Sequence, residues 1–216
     1  MLSNPLECTI FISHLDINDM IRLLNYALHL MDSSNSRGTF GEMIVASIFD
    51  PRFFGEEEHY IVNDILFETS DGKTHQIDHV VIYKTGVFCI ETKNIEGLIL
   101  GHPNINSWRV YHGNQPYEIF NPILQNKKHI AVLSELIEWK YDVHSIIVFI
   151  KGNKPKDCGD EVLNLQELKG YVKRYPCDKE LTSEQMKALY NSLTIYKDES
   201  DITTAEHIKN VKENKH

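Results

Sequence analysis

The residues best suited to chemistry in this chain are two carboxylates and a lysine, Asp78, Glu91 and Lys93. They lie in two runs rich in β-branched and aromatic residues, separated by the short segment Lys84-Thr85-Gly86. Such runs on either side of a glycine-containing segment predict a β-hairpin. Charged residues are seldom buried in strands without a partner, so three of them in one hairpin need an explanation.

The hairpin turn decides whether the three side chains share a face. A two-residue turn at Thr85-Gly86 predicts that Val80 pairs with Glu91 and that Asp78 pairs with Lys93. Alternate side chains of a strand point to the same face, so the two carboxylates and the lysine would converge within roughly 5 to 8 Å. A turn one residue longer, without a bulge, would put Asp78 on the far face.

Two carboxylates held this close repel each other, by roughly 1 kcal/mol in water and about 4 kcal/mol at the effective dielectric of a protein surface. A cation, a shared proton or the lysine must offset that repulsion. Two carboxylate oxygens, the main-chain carbonyl of Thr92 and several waters match what Mg²⁺ accepts, with Mn²⁺ as an alternative. Beside such a metal, Lys93 could position or deprotonate a water and stabilise charge on a phosphate. These parts suit metal-assisted hydrolysis of a phosphodiester.

A surface ion pair is the competing interpretation, because an Asp followed at a distance by Glu-x-Lys is common in any chain. An exposed pair of this kind is worth about 0 to 1 kcal/mol. The flanking residues argue against it, because both faces of the two runs are apolar. The face opposite the charges carries Ile77, Val81, Phe88 and Ile90. Strands buried on both faces are typical of the centre of an α/β sheet, where charges cost several kcal/mol unless they pair or coordinate a metal.

Further motifs accompany the hairpin in a fixed order. They are Gly41-Glu42, residues 76–81, residues 85–88, residues 90–94, Gly97, Trp108 and residues 121–126. In this order they resemble the nuclease-related domain, NERD, over roughly residues 38–150. The resemblance implies a place in the PD-(D/E)xK nuclease superfamily and a restriction-endonuclease-like core.

The resemblance also implies roles for individual residues. Asp78, Glu91 and Lys93 match the metal-binding and catalytic positions. Glu42 matches an acidic residue on the preceding helix, and Gln125 matches a glutamine on the following helix. The implied function is a Mg²⁺-dependent deoxyribonuclease acting in DNA processing or defence. On spacing alone, a solvent-facing position is the better interpretation of Gln125.

The order of predicted elements gives an α/β protein with a mixed central sheet flanked by helices. Strands are predicted at 60–68, 98–100, 108–110, 144–150 and 162–165 in addition to the hairpin. Helices are predicted at 16–31, from Thr39 to Asp50, from Pro122 onward, at 166–174, and after Thr182 and Thr203. Thr39 and Glu42 also fit a capping box, which would stabilise their helix without any catalytic role.

These elements divide the chain into three parts. We expect an N-terminal helical extension at 1–37, a nuclease-like core at 38–150, and an α-rich C-terminal extension at 151–216 that packs on the core. Trp108 is expected to pack in the core rather than to stack on a base. His79 points away from Asp78 by strand alternation and is treated as structural.

The net charge of −9 opposes binding to nucleic acid through bulk electrostatics. Any DNA contact therefore needs a local basic patch. Lys127-Lys128-His129 and the group Lys151, Lys154 and Lys156 are candidates, with ordinary solvated lysines as the alternative.

Several classes of protein and site are disfavoured by what the sequence lacks. The four cysteines have no CxxC spacing, so a structural zinc site is not expected. There is neither an apolar run of 18 residues nor a signal-peptide pattern, which favours a cytoplasmic protein without a membrane partner. No P-loop occurs, so a helicase or ATPase partner would be a separate chain.

Two alternatives to a DNA nuclease stay open at this stage. The fold could serve as a non-catalytic DNA-binding or assembly module, which the acidic net charge of −9 favours. The substrate could also be RNA, because nothing in the motif separates the two nucleic acids. Oligomeric state and the choice between endonuclease and exonuclease cleavage are not predicted.

Overall fold

The computed structural model describes residues 34–68, 74–113, 115–151 and 154–196. The chain forms two compact units, Met1–Glu57 and Glu58–His216. The helices predicted at 16–31 and after Thr203 lie outside the described residues.

In the first unit, helix α1 spans Ser34–Ile48 and helix α2 spans Pro51–Phe54. Asp50 is the N-cap of α2 and accepts a hydrogen bond from the Arg52 N–H at 2.9 Å. The prediction that Thr39 caps the first of these helices is wrong, because α1 begins at Ser34 and Thr39 lies inside it. The predicted start at Thr39 was too late, because a single glycine costs a helix only about 1 kcal/mol and the helix continues through Gly38.

The second unit is built on a five-stranded sheet with the order β1-β2-β3-β7-β8. Its strands are β1 His59–Glu68, β2 Thr74–Tyr83, β3 Gly86–Lys93, β7 Val143–Phe149 and β8 Val162–Asn164. The pairs β1–β2 and β2–β3 are antiparallel, whereas β3–β7 and β7–β8 are parallel. The α/β fold with a mixed sheet is thus confirmed, and it is consistent with a restriction-endonuclease-like core.

A second, antiparallel sheet follows β3 in the chain. It contains β4 Leu98–Leu100, β5 Ser107–His112 and β6 Gln115–Phe120, in that order. The sequence predicted the first two of these strands and missed β6. Strand β6 has no apolar alternation, because its residues are exposed apart from the partly buried Ile119.

Three helices complete the unit, namely α3 Pro122–Leu136, α4 Leu165–Arg174 and α5 Ser183–Thr194. Helices α3 and α5 share one hydrophobic cluster with β1, β2 and β3, so they lie on the same face of the large sheet. On the other face, Tyr175 at the end of α4 packs against the paired strand residues Phe88 and His144. The helix predicted after Thr182 is α5, and Thr182 and Gln185 form a capping box at its start.

The turn between β2 and β3 differs from the prediction. Tyr83 pairs with Gly86, so the turn is Lys84-Thr85 rather than Thr85-Gly86. The Thr85 hydroxyl donates a 2.7 Å hydrogen bond to the Val172 carbonyl, which anchors the turn to α4. The resulting register differs by two residues from the predicted one. A shift of two preserves the faces of the paired side chains, which on β2 extend from Tyr83 to His79, and Asp78 lies beyond the last pair.

Gly86 is needed at the start of β3 rather than inside the turn. It has φ +151°, and a Cβ atom there would lie 2.8 Å from the His144 ring. The close approach of β3 and β7 at this position therefore requires glycine.

The small sheet packs its inner face against β7 and the start of α3. Trp108 is completely buried and stacks on Phe149, with ring centroids 6.3 Å apart. Its indole N–H donates to the His102 carbonyl at 3.0 Å. The prediction that Trp108 belongs to the core is confirmed.

Candidate active site

Strand β3 lies in the middle of the five-stranded sheet and carries the central ion pair of the site. The Lys93 Nζ donates to the Glu91 Oε1 at 2.5 Å. The Glu91 side chain is only 3% exposed, whereas that of Lys93 is 19% exposed. A carboxylate removed from water to this degree is costly unless it is paired, and the lysine supplies the pairing.

Asp78 lies where the ladder between β2 and β3 stops. The last main-chain pair of this ladder is His79 with Ile90. Beyond it, the Asp78 Oδ2 accepts a hydrogen bond from the Thr92 N–H at 2.7 Å. The carboxylate therefore takes the place of a main-chain acceptor, and it is fixed between the two strands.

The orientation of Thr92 follows from its neighbour. The Lys93 carbonyl accepts from the Ile150 N–H at 3.0 Å, so Lys93 turns its main chain towards β7. Adjacent residues of a strand direct their main-chain groups to opposite edges. The Thr92 carbonyl therefore points towards β2, on the same edge as its N–H and the Asp78 carboxylate. This is the orientation that the predicted ligand role requires.

Helix α3 is positioned at its first residue by a dense set of hydrogen bonds. Asn121 caps the helix by accepting from the Ile123 N–H at 2.9 Å. Its Nδ2 lies 3.3, 3.0 and 2.7 Å from the carbonyls of His102, Pro103 and Ile105. The start of α3 is thereby tied to the loop between β4 and β5.

This anchoring brings Gln125 to the ion pair. In the first turn of α3, the Gln125 Oε1 accepts from the Lys93 Nζ at 3.0 Å. The lysine thus donates to both Glu91 and Gln125. The structure brings these three predicted residues into direct contact, although their catalytic roles stay predictions.

His129 lies one turn further along α3 and contacts the second oxygen of Glu91. Its Nδ1 is 3.3 Å from the Glu91 Oε2, and both side chains are almost fully buried. The two atoms are close enough to attract each other but lack good hydrogen-bond geometry. His129 is predicted above only as part of a candidate basic patch, although its i, i+4 spacing from Gln125 puts the two residues on one helix face.

Asn126 was missed by sequence reasoning. It is fully buried, and its Nδ2 donates to the Cys89 carbonyl at 2.9 Å and to the Ser145 Oγ at 2.8 Å. Its Oδ1 accepts from the Cys89 thiol at 3.2 Å. Asn126 therefore joins α3 to both β3 and β7. The signals in the sequence are its place in the motif at residues 121–126 and an amide inside a predicted helix, and neither distinguishes burial from exposure.

The electrostatic balance of the cluster keeps Glu91 ionised. Burial is the largest influence and by itself raises the pKa of Glu91. The contacts with His129 and Lys93 together outweigh burial, so the pKa of this carboxyl lies below its ordinary value.

Comparison with known proteins identifies the segment that holds these residues. The nuclease-related domain family matches residues 37–150 of the chain. The chain belongs to the NERD family. An uncharacterized protein of Bacillus anthracis is 31% identical over 165 residues, which cover 73% of this chain and 75% of that protein. No solved structure matches the chain.

Glu42, the remaining predicted NERD residue, lies on α1 in the first unit and is partly buried. Glu42 does not take part in a capping box with Thr39, because α1 begins at Ser34 and both residues lie inside the helix. Its predicted role in the site is therefore a separate question.

His79 has a structural role, as predicted. It is 1% exposed, and its Nδ1 lies 2.8 Å from the Asn63 Oδ1 on the neighbouring strand. Burial lowers the pKa of His79 to about 4, partly offset by the negative charge of Glu91.

The donors of the NERD site fit a hard divalent cation. Among the described residues, the Glu91 Oε2 is a buried carboxylate oxygen without a hydrogen-bond partner, and the Thr92 N–H fixes the Asp78 carboxylate. Carboxylate and carbonyl oxygens are the ligands that Mg²⁺ prefers. The same residues contain no group of three His, Cys, Asp or Glu side chains that could hold a metal. The predicted set of two carboxylates and one carbonyl would therefore rely on water for its other ligands.

The described part of the chain also bears on membrane contact. None of its helices combines the length and apolar character that a bilayer crossing requires.

Proposed function

We propose that this NERD protein is a metal-dependent nuclease that hydrolyses phosphodiester bonds of DNA. The observation that carries the proposal is the contact of Lys93 with Glu91 and Gln125 at the end of a central strand, next to the fixed Asp78 carboxylate. Replacing a buried ion pair by apolar residues is often neutral or stabilising, so such a pair contributes little to stability. Its presence therefore favours a functional role.

Lys93 is the residue placed to act on the substrate. It is the more exposed member of its ion pair, and its three ammonium hydrogens exceed the two acceptors that it contacts. The remaining hydrogen can be donated to a phosphate oxygen or to the attacking water. Gln125 holds the ammonium group in this position by accepting one of its hydrogen bonds.

Asp78, Glu91 and the Thr92 carbonyl are the groups that would hold Mg²⁺ or Mn²⁺. When bound, such an ion supplies a Lewis acid for the phosphate oxygens and lowers the pKa of its water ligands. Asp78 is held in place by the Thr92 N–H, and Glu91 by Lys93 and His129. Their orientation therefore requires little rearrangement when a cation arrives, and Glu42 is proposed to assist.

The test compares the wild type with Asp78→Ala and Lys93→Ala on plasmid and oligonucleotide DNA, with Mg²⁺, Mn²⁺ or EDTA. We expect cleavage only with metal, and a loss of at least about 100-fold in either variant, as is usual when a stabilising group is removed. Lys84→Ala is the matched control, because Lys84 is a lysine at the opposite end of the same hairpin, where it pairs with Glu180. Circular dichroism checks that each variant folds.

Cleavage that continues in EDTA, or in a folded Lys93→Ala protein, would contradict the proposal. An RNA panel run in parallel identifies a ribonuclease, which would replace DNA as the substrate while leaving the site assignments intact.

A second candidate is a DNA-binding or assembly module that retains the nuclease fold without turnover. It is favoured by the 2.5 Å ion pair, because Lys93 already neutralises the carboxylate that a cation would use. DNA binding without cleavage, unchanged by Lys93→Ala, would identify this function.

A further inference from the structure

The small three-stranded sheet has two faces of opposite character. Residues opposite one another across its strands share a face. One face carries Ile99, Trp108 and Val110, which are buried against the rest of the unit. The other face carries Leu98, Leu100, Ser107, Arg109, Tyr111, Pro116, Glu118 and Phe120, all exposed. We call this second face the outer platform.

The outer platform exposes large apolar and aromatic side chains. Leu98 is 61% exposed, Leu100 51%, Phe120 46% and Tyr111 40%. Soluble proteins seldom leave several such side chains together in water unless another molecule covers them. Tyr111 and Phe120 lie four residue positions apart along β5, or about 14 Å, so their rings are far enough apart to contact separate groups of one ligand.

Cations accompany the aromatic rings. The Lys128 ammonium lies over the Phe120 ring, 5.2 Å from its centroid. Arg109 lies between Leu100 and Glu118 on the platform and pairs with Glu118 at 3.2 Å. Residues 95–128 contain three Lys or Arg and two Glu, a net charge of +1 in a chain whose total is −9. A polyanion is therefore repelled less here than by the chain as a whole.

The platform adjoins the candidate active site. Phe120 immediately precedes the N-cap of α3, and Lys128 lies three residues beyond Gln125 on that helix. Residues at this spacing are neighbours on a helix surface, about 5 to 6 Å apart at Cβ. Gln125 contacts the Lys93 Nζ at 3.0 Å, so a chain lying across Phe120 and Lys128 lies close to the lysine.

We propose that the outer platform binds a single-stranded stretch of DNA and leads it to Lys93. Bases stack on Tyr111 and Phe120, and Lys128 contacts the backbone phosphates. Stacking on aromatic rings beside cations is how proteins hold single strands without reading their sequence. The inference rests on the proposed function and adds a substrate class to it. A second copy of the chain is a less suitable occupant, because covering the apolar side chains would also bury Lys128 and the Arg109–Glu118 pair.

Fluorescence anisotropy in EDTA tests the proposal without any cleavage. The full chain is titrated into labelled oligo-dT, a duplex of the same length and oligo-U. We expect oligo-dT to bind more tightly than the duplex, and Phe120→Ala to weaken that binding by roughly 5- to 100-fold, the range for loss of one stacked base. Trp139→Ala is the control, because Trp139 is a 71% exposed aromatic just beyond the far end of α3.

The salt dependence of oligo-dT binding isolates the phosphate contact. The logarithm of the affinity falls as the logarithm of the salt concentration rises. In Lys128→Gln this negative slope should become shallower by about 0.7, the value for one phosphate contact on a single strand. Lys140→Gln, which removes a lysine paired with Glu138 beyond the opposite end of α3, should keep the wild-type slope.

Equal effects of Phe120→Ala and Trp139→Ala, or tighter binding of the duplex, would overturn the platform. Preference for oligo-U over oligo-dT would overturn DNA as its ligand. A dimer in sedimentation that Tyr111→Glu dissociates would show that the face binds a second copy instead. These results are separate from the test of catalysis. If the wild type cleaves DNA and Phe120→Ala binds oligo-dT as tightly as the wild type does, the platform alone is rejected. If the platform binds oligo-dT but the wild type does not cleave, the nuclease alone is rejected.

Discussion

The two sheets depart from the usual distribution of polar and apolar residues in opposite directions. The five-stranded sheet buries charge, since the Glu91 side chain is 3% exposed between Lys93 and His129. The three-stranded sheet exposes apolar surface, since Leu98 is 61% exposed. Both arrangements cost stability in isolation. This difference supports the two proposals, that the large sheet holds reacting groups and that the small sheet presents a contact surface.

The strongest test of the comparison removes the buried charges altogether. In the double variant Glu91→Leu/Lys93→Met, any nuclease activity should fall by at least about 1,000-fold, because both proposed catalytic groups are lost. Its free energy of unfolding should equal or exceed that of the wild type, because apolar residues avoid the desolvation cost of the pair. Urea unfolding and a cleavage assay measure the two effects. A large loss of stability would mean that the ion pair serves the fold.

The two faces of the small sheet should differ sharply in their contribution to stability. Trp108→Ala should lower the free energy of unfolding by about 3 to 5 kcal/mol, because it leaves a cavity beside Phe149. Leu98→Ala, on the exposed face of the same sheet, should change it by less than about 0.5 kcal/mol. Chemical denaturation compares the two. A cost for Leu98→Ala near that of Trp108→Ala would mean that the outer face is covered within the molecule.

The large sheet should also make stability depend on pH through His79. Burial lowers the pKa of this histidine to about 4, so the unfolded chain takes up a proton at a higher pH than the folded chain does. Its contribution is complete above about pH 6.5 and is lost as the pH falls towards 4, by on the order of 3 kcal/mol. His79→Phe should flatten the dependence in this range when unfolding is measured in EDTA. His112→Gln, which removes an exposed histidine of the small sheet, is the control.

The smallest expected effect concerns the helix that supports the buried charges. Asn126→Ala should lower the free energy of unfolding by about 1 to 3 kcal/mol, because the Cys89 carbonyl and the Ser145 hydroxyl lose their partner. Lys127→Ala changes the adjacent exposed position and should be close to neutral. Equal effects in the two variants would mean that Asn126 does not fix α3 against β3.

Local patterns were enough to predict most of the fold. Alternating and continuous apolar runs located β1, β3 and β7, and the Asn121-Pro122 pair located the start of α3. Strand β6 was missed, because its exposed residues carry no burial signal. The start of α1 was misplaced, because a glycine suggested a loop where the helix continues.

The hairpin shows how a wrong detail can leave the main inference intact. The predicted turn was displaced by one residue, because the hydrogen bond from Thr85 to α4 cannot be read from local sequence. The register then differed by two, which preserves side-chain faces along the paired residues, and Glu91 and Lys93 share a face because they lie two positions apart on β3.

The sequence by itself determined the strand alternation, the presence of two carboxylates and a lysine on one hairpin, and the membership of the NERD family. These follow from periodicities and spacings along the chain. Only the tertiary structure decided that Gln125 contacts the Lys93 ammonium group and that His129 contacts the second carboxylate oxygen of Glu91. It also decided that Asn126 is buried between two strands. Such contacts depend on how a helix docks across a sheet, and that docking is set by packing between segments more than 30 residues apart in the chain.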